Sequence, residues 1–394
     1  MATIGIDVGK RQHIAAIHHD GEREARKAVL RFGADRAGLV DLTAWLARQG
    51  EVSRAVLESS GHYHLNLAAA LQRAGVPVAV VNPLESKYFG KRRLQRTKSD
   101  PADARTLATL AMVDEPEVRD TLAGAELREA SRFVMGLVDA LGRIDQRVCR
   151  LVEIGFPELE QAYDDPTCVS ALAVLRATPT AGAAARARTT TLARASRPGG
   201  GRRIGPKKAE QISALAKRTI AAPELADQIG FQMRLLIAQH DLLEAQIAEA
   251  EAHLATLLDG ELVRRLRTIP GAGPAIVATL IAEIGDIRRF SDFDKLVAYV
   301  GVHPAEKSSG EKGKDPETSW RMSKAGNVYL RTALYRMAVV GIQHNPVIKA
   351  HYARKRAQGK SKMNALGHCM KKALAIVWGV WRSGTDFAAP LTTP

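Results

Sequence analysis

The sequence predicts an α/β N-terminal domain with a mixed sheet, a helical middle region that contains a coiled coil, and a mostly α-helical C-terminal domain. Short β-rich runs alternate with helical patterns through the first part of the chain. Beyond residue 114 most apolar residues recur at helical spacing. A chain of 394 residues is long enough for several domains, each with its own core. We therefore expect domains at residues 1–113, 114–265 and 266–394.

The order of the N-terminal elements indicates one type of α/β fold. The predicted order is βββαβα followed by another strand and helix, with an Asp20-Gly21 hairpin turn after the second strand. This order matches the ribonuclease H-like arrangement. The predicted strands are residues 3–9, about 12–19, about 25–32, 54–58 and 76–81, and the helices between them are about 35–49 and about 62–74.

The charge of the chain is unusual, whereas its composition is ordinary for a globular protein. Hydrophobic residues make up 46% and charged residues 25%, but the formal net charge is +15. Such an excess predicts a polyanionic partner, with nucleic acid favoured over an anionic membrane surface. The N-terminus has no signal-peptide pattern and no apolar run reaches membrane-spanning length, so we expect a cytoplasmic protein. Three widely separated cysteines predict neither a disulfide framework nor a structural zinc site.

A basic segment follows the fifth predicted strand. It runs from Lys87 to Lys98 without an acidic residue, and Tyr88 and Phe89 lie among the cations. We interpret it as a surface that contacts phosphates and stacks bases on its aromatic rings, rather than as a solvated run of charge. The segments 186–208 and 349–382 are basic as well. The predicted nucleic-acid-binding residues of the first segment are Lys91, Arg92, Arg93, Arg96 and Lys98.

The middle of the chain carries a repeating apolar pattern. From Ile229 to Leu257, apolar residues alternate between spacings of four and three over about four heptads. This pattern predicts a coiled-coil hairpin or a dimerisation helix. His240 falls on the apolar seam, where we interpret it as a polar residue that sets the register rather than as a ligand.

Four carboxylates follow the predicted elements in an order that suggests a metal site. Asp7 lies near the end of the first strand, Glu58 ends the fourth, and Asp100 and Asp103 open the helix that follows the basic segment. Their spacing of three puts the last two on one side of a helix. Four such groups in one cleft would repel each other unless a cation were bound, and Mg²⁺ prefers oxygen ligands of this kind. Alternatively, Asp7 caps a turn, Asp100 caps the helix, and Asp103 interacts with the helix dipole.

These residues resemble those of the DEDD transposases of the insertion-sequence 110 family, whose N-terminal domain is similar to the RuvC Holliday-junction resolvase. The N-terminal resemblance lies in Gly5–Lys10, Leu57–Ser59 and Lys98–Ala104. The C-terminal resemblance lies in Ile269–Gly273, Ala298–Pro304, Ser308–Gly310 and Ser323–Asn327, followed by Leu330 and Arg331. The motifs occur at both ends of the chain in the family's order, with a helical region between them.

The resemblance implies a recombinase that inserts and excises a mobile element, guided by a structured bridge RNA. It implies Mg²⁺ bound by Asp7, Glu58, Asp100 and Asp103, and a C-terminal serine that becomes covalently linked to DNA. Ser309 matches that serine, although Ser308 is adjacent. Lys324 and Arg331 are further residues predicted to bind nucleic acid. The family combines the acidic domain of one protomer with the serine domain of another, so a homo-oligomer is expected.

Three other functions are compatible with parts of the sequence. A RuvC-like nuclease that hydrolyses DNA with water would need the four carboxylates but not Ser309. An actin-like ATPase or sugar kinase also begins with a strand like residues 4–9, but the chain has no later phosphate-binding Asp-x-Gly loop and its basic segments would be unexplained. A nucleic-acid-binding protein with a decayed site is disfavoured by the complete set of carboxylates.

Overall fold

The computed structural model describes residues 1–59, 61–93, 99–196, 203–258, 260–305, 321–323 and 325–389. The chain divides into two compact units, Met1–Ala125 and Glu126–Pro394. The two units are described separately below. The sequence-based division into three domains stays a prediction.

A five-stranded mixed sheet forms the centre of the N-terminal unit. Its strands are β1 (Ala2–Val8), β2 (Gln12–His19), β3 (Val29–Gly33), β4 (Val52–Glu58) and β5 (Val78–Val81). Its helices are α1 (Arg36–Ala47), α2 (His64–Arg73), α3 (Pro83–Arg92) and α4 (Asp100–Val113). The sheet order is β3-β2-β1-β4-β5, in which β1 pairs antiparallel with β2 and parallel with β4. This topology is compatible with a ribonuclease H-like domain.

The predicted elements of this unit agree with the structure except at their ends. The Asp20-Gly21 turn follows β2, and Gly21 adopts a left-handed φ of 79°, which glycine reaches without steric cost. The third strand begins at Val29 rather than near residue 25. The residues between the turn and Val29 are mostly charged, and a hydrogen bond from Arg26 N to the carbonyl oxygen of Ile17 holds this connection to β2.

The two faces of β1 pack against different helices. Ile4, Ile6 and Val8 are buried in a core that also contains residues of α1 and α2. The opposite face carries Thr3, Gly5 and Asp7, because side chains alternate along a strand. On this face Thr3 Oγ1 donates a hydrogen bond of 2.9 Å to the carbonyl oxygen of Ala108 in α4.

Gly5 allows α4 to lie directly on the sheet. A Cβ atom built at this position would overlap the backbone nitrogen of Ala108 and the backbone oxygen of Ala104. Backbone atoms cannot move aside as the end of a flexible side chain can. Any other residue at position 5 would therefore push the helix away from β1.

The second unit is mostly helical. Its helices are α5 (Ala125–Gly155), α6 (Val169–Ala177), α7 (Ala181–Arg186), α8 (Thr189–Arg194), α9 (Pro206–Lys217), α10 (Ala226–Thr256), α11 (Glu261–Arg267), α12 (Pro274–Ile284), α13 (Phe293–Val300), α14 (Val328–His344), α15 (Pro346–Ala357) and α16 (Lys362–Ser383). Short 3₁₀ turns lie at Pro157–Gln161, Pro223–Leu225 and Ile287–Arg289. Two short strands, β6 (Pro304–Ala305) and β7 (Arg321–Met322), pair antiparallel. Among the helices of the described ranges, none is both long and apolar enough to span a membrane.

The apolar seam predicted in the middle region is partly used within the chain itself. Met233 and Leu236 of α10 are buried in one cluster with Val148 and Leu151 of α5. Further along α10, Leu254 packs with Val134 of α5 and with a residue of α12. The two long helices therefore pack against each other with opposite directions. The coiled coil stays a prediction.

A buried ion pair and the hydrogen bonds around it connect four helices of the second unit. Glu283 of α12 has a side chain that is 2% exposed, and its carboxylate accepts hydrogen bonds of 2.6 and 3.1 Å from Nε and Nη2 of Arg132 in α5. Asn327, which caps α14, donates to Glu283 Oε2 at 2.6 Å. Tyr299 of α13 donates through its hydroxyl to the backbone oxygen of Glu283. The carboxylate is therefore paired and hydrogen-bonded, as a buried charge must be.

We expect Gly5→Ala to destabilise the N-terminal unit by at least about 1–3 kcal/mol, the range for overpacking of a close-packed interior. The cause is the overlap between the new Cβ atom and the α4 backbone. Urea denaturation of the full chain, followed by circular dichroism, measures the effect. Gly136→Ala is the matched control, because this exposed helical glycine has nothing within 4 Å of the added Cβ. Equal stability of the Gly5→Ala protein and the wild type would contradict the close packing.

We expect Glu283→Gln to reduce the free energy of unfolding of the second unit by about 3–5 kcal/mol, because the guanidinium of Arg132 would lose its buried partner. The same denaturation experiment detects the loss. Glu261→Gln removes an exposed carboxylate that pairs with Arg264, and it should leave the transition unchanged. A Glu283→Gln protein as stable as this control would contradict the role of the ion pair.

Candidate active site

The position of Asp7 follows from the packing of α4 on β1. Between Thr3 and Gly5 the strand advances by about 6.6 Å. Thr3 contacts the carbonyl oxygen of Ala108, whereas Gly5 lies against the backbone nitrogen of Ala108 and the carbonyl oxygen of Ala104, so the contacted carbonyl oxygen moves by four residues, about 6 Å along the helix axis. One further step of two residues along the strand reaches Asp7. The equivalent step along the helix reaches its first turn, where Asp100 lies. Asp7 therefore faces the beginning of α4.

Glu58 lies on the adjacent strand at the same edge of the sheet. The parallel register pairs Gly5 with Val56 and Ile6 with Leu57, so Glu58 comes one residue beyond the last registered pair. Alternation along β4 places it on the face that Val56 shares with α4. Its Oε2 atom accepts a hydrogen bond of 2.6 Å from Ser86 Oγ of α3. This contact fixes one oxygen of the carboxylate.

Asp100 and Asp103 lie in the first turn of α4, three residues apart as predicted. The N-cap is Ser99 rather than Asp100, and Pro101 follows in the first turn, so the interpretation of Asp100 as the cap is wrong. Because Asp100 is already helical, its carboxylate is not used to cap the backbone N–H groups of the following turn. The side chain of Asp100 is exposed and that of Asp103 is half-buried.

The electrostatics of Asp7 show that the four carboxylates lie close together. The pKa of Asp7 is raised from 3.8 to about 6, chiefly by burial and then by the negative charges of Asp100, Asp103 and Glu58, in that order. A carboxylate is disfavoured by burial and by like charges nearby. The N-terminal unit thus brings together the four acidic residues that the sequence singled out.

This set of donors fits a divalent metal ion. Carboxylate oxygens are the preferred ligands of hard cations such as Mg²⁺. A cation bound among them would remove the repulsion that raises the pKa of Asp7. The donor set contains neither sulfur nor nitrogen ligands. The residues present therefore suit a metal of this class.

The basic segment predicted to bind nucleic acid is partly described. Lys91, Arg92 and Arg93 lie at the end of α3 with exposed side chains, and Arg92 Nη2 pairs with Asp114 at 2.7 Å. The prediction that Phe89 stacks bases is wrong, because this ring is 3% exposed and packs with Val56 and Leu107 in the core. Tyr88 is 65% exposed. Arg96 and Lys98 fall outside the described residues.

The segment that carries the candidate nucleophile connects the two short paired strands β6 and β7. Ser308, Ser309 and Lys324 fall outside the described residues, but Ser323 N donates to the backbone oxygen of His303 at 2.9 Å beside the β6–β7 pair. Arg331, predicted to bind nucleic acid, is half-buried and donates to the Val300 carbonyl oxygen at 3.0 Å. This bond ties α14 to the end of α13, and the nucleic-acid role of Arg331 stays a prediction.

Sequence reasoning missed three residues that position these sites. Gly5 could have been identified from the sequence, because a glycine inside a strand often marks a place where another backbone approaches closely. So could Glu283, since it is the single acid in an otherwise apolar helix. Ser86 had no signal that distinguishes it from other helical serines. Its contact with Glu58 depends on tertiary structure.

Two family models match this chain, and both describe transposases. A DEDD transposase model of the IS110 type matches residues 4–157, which include all four acidic residues. A second model, described as the transposase IS116/IS110/IS902 family, matches residues 263–353. The second match covers Glu283 and the segment between β6 and β7.

Curated relatives extend the similarity over nearly the whole chain. The putative transposase of the IS117 mini-circle from Streptomyces coelicolor is 29% identical over 94% of this chain and 91% of the relative. An uncharacterised 42 kDa protein of insertion element IS900 from Mycobacterium paratuberculosis is 25% identical over 99% of this chain and 98% of the relative. A pilin gene-inverting protein from Moraxella bovis is 30% identical over 31% of this chain and 37% of the relative.

The two domain matches occur in the order in which the motifs were found, and two of these relatives align over 94% and 99% of this chain. The acidic residues required by the DEDD name lie together in the structure. The chain therefore belongs to the IS110 family of transposases, which are enzymes that cleave DNA.

Proposed function

We propose that this transposase inserts and excises its element by Mg²⁺-dependent strand exchange through a covalent phosphoserine intermediate, guided by a bridge RNA. The proposal rests chiefly on one observation. Asp7, Glu58, Asp100 and Asp103 come from two strands and one helix, yet they lie near enough for three of them to raise the pKa of the fourth. A structural protein would have no reason to retain this repulsion.

The four carboxylates are the proposed Mg²⁺ ligands. When bound, Mg²⁺ would stabilise the negative charge that develops on the phosphate during cleavage. Ser86 holds one oxygen of Glu58 in a fixed position. The α4–Gly5 contact holds Asp100 and Asp103 opposite Asp7. These contacts place the ligands before the substrate arrives, which reduces the reorganisation needed for catalysis.

Ser309 is the proposed nucleophile. Its Oγ would form a bond to the scissile phosphorus while the bond from phosphorus to one deoxyribose oxygen breaks. The hydroxyl proton leaves Ser309, and the released deoxyribose oxygen takes up a proton. Attack of a deoxyribose hydroxyl from another strand on the phosphoserine reverses this step and rejoins the DNA. The covalent bond thus conserves the energy of the phosphodiester, whereas hydrolysis would lose it.

The comparison with a pilin gene-inverting protein favours strand exchange over simple hydrolysis. Inversion of a gene requires that cut strands be rejoined in a new order, and that relative is 30% identical where it aligns. The competing function is a RuvC-like nuclease that cleaves with water, which would use the acidic residues alone.

The net charge of +15 is consistent with a chain that holds DNA and RNA together. The exposed cations at the end of α3 lie in the same unit as the acidic residues. They are proposed to contact phosphates, and the working protein is proposed to be a homo-oligomer.

Because the pKa of Asp7 is raised, we expect the free energy of unfolding to fall as the pH rises from 3.8 to about 6. In this window the carboxyl group of Asp7 keeps its proton in the folded protein and loses it in the unfolded protein. Below the window both states are protonated, and above it the folded protein carries the full repulsion. Thermal unfolding of wild type and Asp7→Asn at several pH values measures the difference. Asp7→Asn should lack the decrease, and Mg²⁺ should stabilise the wild type near pH 7.5 more than the variant.

Asp41→Asn is the control for this pH dependence, because it removes an exposed carboxylate from α1. It should keep the wild-type pH profile and the wild-type response to Mg²⁺. A wild type that gains stability relative to Asp7→Asn between pH 4 and pH 6 would contradict the clustering of charge.

We expect an SDS-stable protein–DNA adduct when the full chain is incubated with junction DNA of its element, Mg²⁺ and the flanking non-coding RNA. The adduct should disappear with Ser309→Ala, with Asp7→Ala and without Mg²⁺, and it should persist with Ser308→Ala. It should also fall sharply when a scrambled RNA replaces the guide. Gel electrophoresis with labelled DNA measures these outcomes.

Two results of this experiment would change the assignment. Cleavage without an adduct, unaffected by Ser309→Ala, would replace the serine mechanism by hydrolysis with water. An adduct lost with Ser308→Ala and kept with Ser309→Ala would move the nucleophile by one residue.

We expect a mixture of Asp7→Ala and Ser309→Ala proteins to recover part of the strand exchange that each lacks alone. Each variant supplies the group that the other has lost, provided that different protomers contribute them. Recombination of a plasmid substrate measures recovery across mixing ratios. A mixture of Asp7→Ala and Asp103→Ala should stay inactive, because both changes affect the same group of ligands. No recovery at any ratio would contradict shared catalysis.

A further inference from the structure

Two helices near the end of the second unit carry a concentrated positive charge that the acidic site does not use. Helices α15 and α16 are joined by residues 358–361, and we call the two helices with this connection the α15–α16 pair. Between positions 349 and 372 the pair contains eight lysine or arginine residues and no acidic residue. The eight are Lys349, Arg354, Lys355, Arg356, Lys360, Lys362, Lys371 and Lys372. This density of like charge needs a physical explanation.

Packing of the apolar sides of both helices leaves these cations at the surface. Ile348 of α15 and Leu366 of α16 are buried in one core cluster of the second unit. Five of the eight cations are exposed, and the other three are half-buried. The α15–α16 pair is therefore apolar toward the core and basic toward solvent.

Cations of the two helices lie close enough together to act on the same groups. The pKa of His351 on α15 is lowered, first by burial and then by nearby positive charges, which include that of Lys372 on α16. The pKa of His368 on α16 is lowered by burial, then by Lys355 on α15 and by Lys360 in the connection. Positive charge nearby disfavours a protonated imidazole. Both helices thus contribute to one cluster of positive charge.

Acidic groups in the part of the chain that the structure describes do little to balance this cluster. Lys371 Nζ lies 3.8 Å from Asp294 Oδ1, which is the one ion pair that the eight cations make with described residues. Arg354 and Lys355 contact neutral groups on their own helix or its end, at 3.0 Å from His351 Nδ1 and 3.2 Å from Gln358 Oε1. Like charges held close together destabilise the folded protein, and a bound polyanion would offset this cost.

The beginning of α16, which lies within this cluster, favours duplex DNA as the polyanion. Residues 361–364 are all exposed, and the buried residues of the helix begin at Ala365. An exposed helix end fits the major groove of B-DNA, whereas the major groove of A-form RNA is too deep and narrow to be read in this way. The positive end of the helix dipole adds to the attraction for phosphate.

We propose that the α15–α16 pair binds duplex DNA, with Lys355, Lys360 and Lys372 against phosphates and the first turn of α16 in the major groove. These three lysines are the ones whose charges act across the pair or from its connection. The inference deepens the proposed function by naming a DNA-binding surface in the second unit. It rests on DNA as the substrate, but not on Ser309, Mg²⁺ or a guide RNA.

Binding of the full chain to fluorescein-labelled duplex DNA from an end of its element, in EDTA, tests this proposal. Fluorescence anisotropy at several salt concentrations gives the slope of log K against log salt, to which each phosphate contact contributes about 0.9. The triple variant Lys355→Gln, Lys360→Gln, Lys372→Gln should reduce this slope by between about 2 and 3, and should weaken binding between about 10- and 100-fold at about 0.15 M salt. EDTA prevents metal-dependent cleavage, so the result is independent of the strand-exchange step.

A charge-retaining variant distinguishes lost contacts from lost folding. Lys355→Arg, Lys360→Arg, Lys372→Arg keeps the three positive charges and should keep the wild-type slope. Circular dichroism and thermal unfolding show whether each variant is folded.

A second triple variant removes the same amount of charge elsewhere in the second unit. Lys217→Gln, Arg234→Gln, Lys295→Gln changes exposed cations of α9, α10 and α13. It should leave the slope within about 1 of the wild-type value, because these residues are not proposed to contact phosphate.

A wild-type slope in the first glutamine variant would overturn the proposal. An equal loss of slope in both glutamine variants would overturn it as well, because the effect would then come from net charge rather than from this surface. Binding of the flanking non-coding RNA, measured in the same way, should weaken much less than binding of DNA. A loss of RNA affinity as large as the loss of DNA affinity would contradict a surface that selects duplex DNA.

Discussion

The close approach of α4 to Gly5 determines where the acidic residues of the N-terminal unit lie. The helix backbone rests on the strand at Ala104 and Ala108, so its first turn falls opposite Asp7. A side chain at position 5 would separate the two elements and carry Asp100 and Asp103 away from the sheet edge. Glycine is thus required for a steric reason, and the proposed metal-binding geometry depends on it.

The same contact creates an electrostatic cost. Packing brings four carboxylates together, and burial followed by the resulting repulsion raises the pKa of Asp7 to about 6. An interior selected for stability alone would replace such groups or pair them with cations, as unit two does at Glu283 and Arg132. Glu283 is a buried carboxylate paired with a cation, as expected for a structural role, whereas the repelling carboxylates around Asp7 are consistent with the catalytic role proposed for them. A bound divalent ion would offset the repulsion among these carboxylates.

In the second unit, polar contacts organise the ends of the segment that contains Ser309. Glu283 binds Arg132 and Asn327, and Arg331 holds the carbonyl oxygen of Val300 beside the start of that segment. Gly301 adopts a left-handed φ of 76°, and a Cβ atom there would lie 3.1 Å from the backbone nitrogen of Gly326. The chain before and after the segment is therefore held by short, directional contacts, which leave little freedom at its two ends.

The sequence by itself determined the element order, the identity of the four acidic residues and the family, because strand alternation and short motifs are local properties. It did not determine that the ring of Phe89 is buried in the core rather than exposed for stacking on bases. An aromatic residue within a basic segment has the same sequence context in both cases. The sequence did not reveal the partners of Glu58 and Glu283, which lie 28 and 151 residues away in Ser86 and Arg132. Those contacts are decided by tertiary structure, because burial and charge pairing depend on which distant elements pack together.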